Sequence, residues 1–155
     1  MKVLVTGGYG FIGHNVVYKL LQLGHEPIIV DIKTKYGILD SNELDYLMDE
    51  RSKKIYNHPN HNFDIVNKYP LEKIFKKNNI DCVIHLASFP RQKVVNKHPT
   101  WGSRTMSEGL LNLLELSKTN NVKKFVYISS SMVYGNFINN TNEDYVCQPE
   151  GQYGI

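Results

Sequence analysis

The first pattern that could support chemistry is a set of three glycines near the start of the chain. Gly7, Gly10 and Gly13 recur at every third position within "VTGGYGFIG", after an apolar run and before an amphipathic segment. Glycines at this spacing allow a tight strand-to-helix turn and let the backbone approach a phosphate closely. The free N–H groups at the start of a helix then bind the anion. The pattern predicts a site for the diphosphate of a dinucleotide, because a tight turn alone does not need all three glycines.

An acidic residue follows the next apolar run. Asp31 comes directly after "PIIV", one helical segment further along than the glycines. In dinucleotide-binding folds, a carboxylate at this position accepts hydrogen bonds from the adenosine ribose hydroxyls. A carboxylate also repels a 2′-phosphate, so Asp31 favours NAD over NADP, although Lys33 and Lys35 weaken that preference. An ordinary turn cap is the competing interpretation of Asp31.

These residues must be positioned by the elements around them, which alternate along the chain. Continuous apolar runs predict buried strands, and segments with apolar residues every three or four positions predict helices. Strands are predicted over 2–6, 27–31, 81–87 and 124–130, and helices over 11–24, 40–55, 70–79 and 107–120. Apolar strands separated by helices indicate a parallel sheet that is covered on both faces. The predicted fold is therefore α/β, a Rossmann-type doubly wound parallel sheet with helices on both faces.

Two segments interrupt this alternation. Residues 32–62 form a long connection between the second and third strands, and Asp40 or Ser41 could cap a helix within it. Residues 135–152 are polar and rich in turn-forming residues, without an apolar period. A loop of that length inside a compact domain is usually either functional or disordered.

Composition limits the class of protein. The chain has 155 residues, the length of one domain, and a net charge of +3, too small to indicate nucleic acid binding. Cys82 lies in an apolar run and is expected to be a buried free thiol, and with Cys147 it makes no metal-ligand cluster. No signal peptide and no membrane-spanning apolar stretch are visible, so we expect a cytoplasmic protein with reduced thiols, without a metal or a membrane partner.

Five stretches together resemble one known family. "VTGGYGFIG", "FDIVN", "CVIHLAS", "VKKFVYISSSMVYG" and "PEGQYGI" occur in the order found in the extended short-chain dehydrogenase/reductase family, over nearly the whole chain. Within that family the NAD-dependent nucleotide-sugar epimerases and dehydratases are the most similar. The resemblance implies that residues 1–155 form a Rossmann domain that holds NAD, and that a C-terminal substrate domain is absent from this chain. It also implies a nucleotide-sugar substrate, with a UDP-sugar favoured, and a possible homodimer.

The resemblance implies roles for individual residues. Asp64 and Ile65 in "FDIVN" match the pair beside the adenine, although Phe63 stands where the family often has glycine. His85 is expected to be a packed, hydrogen-bonded residue and not a catalyst. The coenzyme-binding positions carried over are Gly7, Gly10, Phe11, Ile12, Gly13, Asp31, Asp64, Ile65, Leu86, Ala87, Ser88 and Ser129.

Two hydroxyl groups match the family's catalytic positions. Ser130 would hydrogen-bond the reacting oxygen, and Tyr153 would be the general base that removes the hydroxyl proton while NAD takes hydride from the sugar carbon. In the family a lysine follows this tyrosine four positions later, and here that position lies beyond Ile155. We therefore expect the polypeptide to bind NAD but to catalyse little or nothing alone. We also expect the segment around Tyr153 to have nothing to pack against.

Departures from the family pattern leave alternatives open. Met106 stands where the family usually has an asparagine near the cofactor. His14 and Asn15 stand where the family often has Ser-His, and both could simply face solvent. A non-catalytic NAD-binding module is one alternative to an epimerase. A nucleotide-sugar dehydratase or a 4-keto-sugar reductase is another. The dehydratases carry Thr-Asp-Glu where this chain has Ser130, Ser131 and Met132, and the reductases often prefer NADP, which Asp31 disfavours.

Overall fold

The computed structural model of the chain describes residues 1–34, 41–89, 91–136 and 141–154. The strands are β1 (Lys2–Thr6), β2 (Glu26–Val30), β3 (Asn60–His61), β4 (Cys82–His85) and β5 (Lys124–Tyr127). The α-helices are α1 (Gly13–Gln22), α2 (Ser41–Lys54), α3 (Lys68–Lys77), α4 (Gln92–Lys97), α5 (Pro99–Ser103), α6 (Gly109–Thr119) and α7 (Gly151–Gly154). A π-helical segment, Arg104–Glu108, joins α5 to α6, and a 3₁₀ turn spans Ser131–Tyr134.

The strands form one parallel sheet in the order β3-β2-β1-β4-β5. The chain moves outward from β1 to β3 and then crosses back to add β4 on the other side of β1. Ligands in open α/β sheets bind outside the carboxyl ends of the strands, at the point where the strand order reverses. In this fold that point lies between β1 and β4.

Two apolar clusters cover the two faces of the sheet. Leu4 of β1 belongs to a cluster that includes residues of α3 and α6, whereas its neighbours Val3 and Val5 belong to a cluster that includes residues of α1 and α2. Side chains of a strand alternate between faces, so this division means that helices bury both sides of the sheet. The predicted doubly wound Rossmann-type fold is confirmed.

The sheet is buried unevenly. Leu4 and Val5 of β1 are fully buried, whereas Tyr127 of β5 is 52% exposed and Ile128, which follows it, is 46% exposed. β5 is the edge strand next to β4 and has no strand on its other side among the described residues. The core is therefore complete around β1 and thin at β5.

Several boundaries differ from those predicted. β5 ends at Tyr127 and not at residue 130, because Ser130 already caps the 3₁₀ turn. β3 is only two residues long and lies inside the predicted 32–62 connection. The helices α4, α5 and α7 were not predicted. Asp40 lies outside the described residues, and Ser41 is the first residue of α2. Residues 135, 136 and 141–150 contain neither helix nor strand. In the described ranges no helix is long and apolar enough to cross a membrane.

Candidate functional site

An open cleft of about 1340 Å³ lies at the carboxyl ends of the strands. Its walls come from the turn after β1, the residue after β2, and the segments after β4 and β5. Every residue that the sequence assigned to coenzyme binding or catalysis lines this cleft: Gly7, Gly10, Phe11, Ile12, Gly13, Asp31, Asp64, Ile65, Leu86, Ala87, Ser88, Ser129, Ser130 and Tyr153. The fold therefore brings together residues from the whole length of the chain, although lining alone does not assign a role to any of them.

The glycine turn is packed too tightly for side chains. Gly7 has φ +71°, and its N–H donates to the carbonyl of Val30 at 2.8 Å. A Cβ on Gly7 would lie 2.9 Å from the amide nitrogen of Ala87. A Cβ on Gly13 would overlap the carbonyl oxygen of Gly7. The turn therefore has space for a close backbone approach only because these positions lack side chains.

The start of α1 offers unpaired backbone donors to the cleft. Ile12, the N-cap residue, makes no side-chain capping bond, and the first turn holds no acidic residue. The N–H groups of Phe11, Ile12 and Gly13 make no backbone hydrogen bond to another described residue. Such donors, together with the positive end of the helix dipole, favour an anion such as a diphosphate. The chemistry of this turn fits the group that the sequence predicted.

His14 does not face solvent. Its side chain is buried, and its Nδ1 lies 2.9 Å from the carbonyl oxygen of Gly10. Because a carbonyl oxygen only accepts hydrogen bonds, Nδ1 is the ring nitrogen that carries the proton. Asn15 is exposed as expected, and it accepts a hydrogen bond from the ammonium of Lys54 at 2.6 Å. The His14 side chain therefore stabilises the glycine turn through its hydrogen bond to the Gly10 carbonyl.

Asp31 is linked to the glycine turn by hydrogen bonds. One carboxylate oxygen accepts from the backbone N–H of Tyr9 at 2.8 Å, and the other accepts from the N–H of Lys33 at 2.7 Å. A carboxylate has about four acceptor sites, so each oxygen keeps capacity for one hydroxyl group. The side chain is half-buried and lines the cleft. Its geometry suits a pair of ribose hydroxyls.

Tyr9 and Arg51 are site residues that the sequence did not reveal. Tyr9 is 3% exposed, and its hydroxyl donates to the carbonyl of His58 at 2.6 Å. Its own carbonyl accepts from the guanidinium of Arg51 at 3.2 Å. The ammonium of Lys33 lies 3.9 Å from the centre of the Tyr9 ring. Position 9 is one of the unspecified positions of the glycine pattern, so no motif pointed to it.

Asp64 and Ile65 are held from two sides. One carboxylate oxygen of Asp64 accepts from the N–H of Val66 at 3.1 Å, and the other accepts from the indole N–H of Trp101 at 3.2 Å. Ile65 is 3% exposed and packs closely on Gly109. A Cβ added to Gly109 would lie 2.5 Å from the Cδ1 atom of Ile65. These contacts fix the segment that was predicted to lie beside the adenine.

His85 is packed and hydrogen-bonded, as predicted. Its Nδ1 lies 2.7 Å from the hydroxyl of Thr6, and that hydroxyl already accepts the N–H groups of Leu86 and Ala87, each at 3.2 Å. The Thr6 hydroxyl must therefore donate to Nδ1, which leaves the ring proton on Nε2. Burial lowers the pKa of His85 to about 4, so the ring is neutral near pH 7. Its ring stacks on Tyr127, with 5.7 Å between the centroids.

Ser130 combines a capping bond with a place in the cleft. Its hydroxyl oxygen accepts from the N–H of Met132 at 3.2 Å, so it caps the 3₁₀ turn that follows β5. A hydroxyl that accepts one bond still has its own hydrogen to donate. No described residue accepts that hydrogen, and Ser130 lines the cleft. The hydroxyl is therefore available to a ligand oxygen.

The expectation that the segment around Tyr153 has nothing to pack against is wrong. Tyr153 packs with Met106 against a buried cluster of Phe89, Val94 and Val95. These residues come from the segment after β4 and from α4, neither of which the sequence indicated as a support. Met106, where the family pattern has an asparagine, is thus part of the apolar wall beside Tyr153.

A buried hydroxyl without a partner lies next to this wall. Thr105, in the π-helical segment, is 5% exposed, and its Oγ1 makes no hydrogen bond in the described part of the chain. π-Helical turns often occur at functional sites, and an unpaired buried hydroxyl costs free energy.

No group of metal-ligating side chains large enough to hold an ion occurs among residues 1–34, 41–89, 91–136 and 141–154.

Comparison with known proteins gives a consistent result. The model of the NAD dependent epimerase/dehydratase family matches residues 3–155. The UDP-glucose 4-epimerase of Dictyostelium discoideum is 33% identical over 134 residues, which cover 86% of this chain. The dTDP-D-glucose 4,6-dehydratase of the same organism is 35% identical over 144 residues, which cover 92% of this chain.

A solved structure extends the comparison to the fold. The UDP-glucose 4-epimerase of Bifidobacterium longum, in complex with NAD+ and UDP, superposes with a TM-score of 0.78 at 30% identity and covers 99% of this chain. The chain spans 45% of that structure, 37% of the D. discoideum epimerase and 32% of the dehydratase. The similarity therefore concerns less than half of each of these relatives.

Proposed function

This chain belongs to the NAD-dependent epimerase/dehydratase family, and from that premise we propose that it forms the NAD-binding part of a nucleotide-sugar 4-epimerase. The observation that carries the proposal is the single cleft lined both by the glycine turn and by Ser130 and Tyr153. NAD would supply the hydride acceptor for oxidation of a sugar carbon. A UDP-sugar is the proposed substrate, in keeping with the names of the relatives.

The coenzyme would be held by contacts along the whole cleft. The free N–H groups of Phe11, Ile12 and Gly13 would bind its diphosphate, and Asp31 would accept the adenosine ribose hydroxyls. Asp64 and Ile65 would lie beside the adenine. Leu86, Ala87, Ser88 and Ser129 line the remaining length of the cleft. Because the glycine turn and the Asp64 segment are already held by internal bonds, binding would need little reorganisation.

Ser130 and Tyr153 would act on the sugar hydroxyl. The Ser130 hydroxyl would donate its hydrogen to the reacting sugar oxygen, because the Ser130 oxygen already accepts a hydrogen bond from the N–H of Met132. Tyr153, whose ring packs on the cluster of Phe89, Val94 and Val95, would accept the proton of that sugar hydroxyl. The roles depend on both side chains meeting one oxygen atom of a bound sugar.

We further propose that the described residues alone sustain little turnover. Lys33 is the one lysine among the described residues that line the cleft, and it contacts Tyr9 and not Tyr153. No lysine of the described residues is therefore placed to stabilise a tyrosinate at Tyr153 in the way that the family's lysine does. The sugar-binding contacts are proposed to come from a second domain.

Calorimetry on the 155-residue chain tests the coenzyme part of the proposal. We expect NAD to bind with one site per chain and NADP to bind more weakly, because Asp31 repels the 2′-phosphate. Conversion of UDP-glucose to UDP-galactose should be undetectable or very slow. Absence of NAD binding would refute the proposed function, and epimerisation at ordinary enzyme rates would refute the proposal that this chain is inactive alone.

A nucleotide-sugar dehydratase is the second candidate. The 35% identity to a dTDP-D-glucose 4,6-dehydratase favours it. Against it, Ser131 and Met132 replace the acidic pair that the resemblance leads one to expect in a dehydratase. Long incubations with dTDP-glucose and with UDP-glucose, at protein concentrations equal to substrate, separate the two. A 4-keto-6-deoxy product would indicate a dehydratase, and a C4 epimer would indicate an epimerase.

A further inference from the structure

We propose that Arg51 on α2 determines how strongly the site discriminates between NAD and its 2′-phosphorylated form. Arg51 would supply the cation that binds the 2′-phosphate, so that Asp31 alone limits NADP binding. The inference rests on the proposed function, because it assumes that the coenzyme occupies the cleft with its adenosine ribose at Asp31. It adds a residue that the glycine pattern and the acidic position do not include.

Arg51 is placed in the cleft by the face of α2 on which it lies. Leu44, Met48 and Arg51 follow one another at intervals of four and three residues, so they share one face of the helix. All three line the cleft. α2 thus presents an apolar stripe to the site with a guanidinium at one end of it.

The guanidinium and the Asp31 carboxylate bind the same residue. Arg51 donates to the carbonyl of Tyr9 at 3.2 Å, and Asp31 accepts from the N–H of Tyr9 at 2.8 Å. The two charges are therefore held at opposite ends of one residue in the glycine turn. A ribose bound to Asp31 would carry its 2′-oxygen within reach of the positive group.

The charge of Arg51 is not neutralised by any described carboxylate. No carboxylate in the described part of the chain lies within ion-pair distance of it, and its hydrogen-bond acceptors are the Tyr9 carbonyl and the sulfur of Met48. A guanidinium has five N–H donors in a fork that matches a phosphate. Most of these donors remain available to a ligand.

Lys53, two residues further along α2, shows the contrast. Its ammonium pairs with Asp49 at 2.6 Å and with Glu50 at 3.0 Å, and it does not line the large cleft. The helix therefore satisfies one of its cations internally and directs another, unpaired, into the site. This difference makes Lys53 a matched control for the loss of a positive charge from α2.

Lys33 adds a second cation at the same end of the cleft. Its backbone has φ 48°, a left-handed conformation that is costly for a lysine, and its N–H bonds to Asp31. With the backbone in this conformation, the ammonium of Lys33 lies 3.9 Å from the centre of the Tyr9 ring. The ribose end of the cleft therefore combines one carboxylate with two cations. We infer that the carboxylate excludes the phosphate and that the cations limit this exclusion.

The test measures the dissociation constants of NAD and NADP by calorimetry for the 155-residue chain and its variants. Asp31→Asn should move the ratio of NADP to NAD affinity toward NADP by about 10-fold or more, because it removes the repulsion. Adding Arg51→Gln to Asp31→Asn should move the ratio back by about 10-fold, and adding Arg51→Lys should retain most of the NADP affinity. In Asp31→Asn, the ratio of NADP to NAD affinity should fall as the salt concentration rises.

The ratio separates recognition from support of the fold. If Arg51 only holds the glycine turn through Tyr9, Arg51→Gln weakens both coenzymes equally, the ratio stays constant, and the inference is overturned. It is also overturned if Lys53→Gln changes the ratio as much as Arg51→Gln. If the unaltered chain binds neither coenzyme, the proposed function itself fails. If the unaltered chain binds NAD and Arg51→Gln leaves the ratio of NADP to NAD affinity unchanged, the proposed function stands and only this inference is overturned.

Discussion

The two ends of the cleft are held in different ways. At the Asp31 end, formed by Tyr9, Asp31, Lys33 and Arg51, polar groups from the glycine turn, the β2 terminus and α2 bond to one another. At the Tyr153 end, formed by Met106, Ser130 and Tyr153, the contacts are a single capping bond and an apolar cluster. Both ends line one cavity, but within the described part of the chain hydrogen bonds between distant segments tie together only the first.

The difference lies in hydrogen bonding more than in burial. Asp31 and Arg51 are half-buried, and so are Met106, Ser130 and Tyr153, but only Tyr9, at 3% exposed, is fully enclosed. Groups whose bonds are already made lose little freedom when a ligand arrives, and half-exposed groups open more easily. The molecule therefore preorganises the proposed coenzyme end more completely than the proposed reaction end.

The largest effect is expected from Gly13→Ala in the glycine turn. A Cβ there overlaps the Gly7 carbonyl and lies 2.8 Å from the Cα of Gly8. We expect a loss of about 1–3 kcal/mol in the free energy of unfolding from overpacking. We also expect a loss of at least about 100-fold in NAD affinity, equivalent to about 2.7 kcal/mol. Denaturant titration and calorimetry measure the two quantities.

Gly24→Ala is the control for this substitution. Gly24 has φ +71°, but a Cβ there meets no atom within 4 Å. Only backbone strain of about 1 kcal/mol is expected, with unchanged NAD affinity. Equal loss of NAD binding in both variants, or retained binding by Gly13→Ala, would contradict the assignment of the turn.

A pH dependence is expected from His85, which connects β1 to β5 by bonding Thr6 and stacking on Tyr127. Burial lowers the folded-state pKa to about 4 from 6.5. Between these values the unfolded chain binds a proton that the folded chain does not, so stability falls as the pH falls. Between these two pKa values the total loss in the free energy of unfolding approaches about 3 kcal/mol. Above the unfolded-state pKa, His85 is neutral in both states and there is no loss.

His85→Asn tests the origin of that pH dependence. The amide oxygen of asparagine can replace Nδ1 as an acceptor for Thr6, but it does not titrate. The free energy of unfolding of this variant should fall less between about pH 6.5 and 4 than that of the unaltered chain. His61→Asn, at an exposed position of β3, controls for the loss of a histidine. Identical acid sensitivity in His85→Asn and the unaltered chain would contradict the prediction.

A pair of tyrosine substitutions compares the ends directly. Tyr9→Phe removes a hydroxyl that donates to the His58 carbonyl at 2.6 Å and should lower the free energy of unfolding by about 1 kcal/mol. Tyr127→Phe removes a hydroxyl from a ring that is 52% exposed and should change it by less than about 0.5 kcal/mol. Urea unfolding of both variants gives the comparison, which fails if Tyr127→Phe is the more damaging.

The smallest effect is expected from Thr105→Val. The hydroxyl of Thr105 is buried without a partner, so its replacement by a methyl group of similar size should raise the free energy of unfolding by up to about 1 kcal/mol. Thr105 is among the residues that line the cleft, but its Oγ1 atom is buried, so NAD affinity should not change. Ser117→Ala, on α6, is the control, because Ser117 is the second unpaired buried hydroxyl among the described residues. Weaker NAD binding by Thr105→Val alone would show that the hydroxyl turns toward the ligand.

The sequence revealed the parts of the site that depend on local backbone chemistry. The glycine turn, Asp31 after β2 and the apolar strand before Ala87 each follow from residue type and spacing within a few positions, and the structure places all of them on one cleft. The doubly wound sheet followed from the same periodicities. The binding and catalytic roles of the individual residues stay predictions.

The residues that the sequence missed depend on contacts between distant segments. Tyr9 meets His58 and Arg51 across more than 40 positions, and no spacing rule connects them. The apolar support of Tyr153 comes from α4, a helix too short to show a clear period. Helical spacing puts Arg51 on one face of α2 with Met48, but spacing alone cannot show which segment that face meets.

The bond between Trp101 and Asp64 has a practical consequence. Trp101 is the single tryptophan of the chain, and its indole N–H is bound to a carboxylate in the proposed adenine pocket. Its ring also meets Phe89 edge-on at 4.9 Å, and Phe89 belongs to the cluster that supports Tyr153. Intrinsic fluorescence of this one indole can therefore follow adenine-pocket occupancy and disturbance near Tyr153 without any added label.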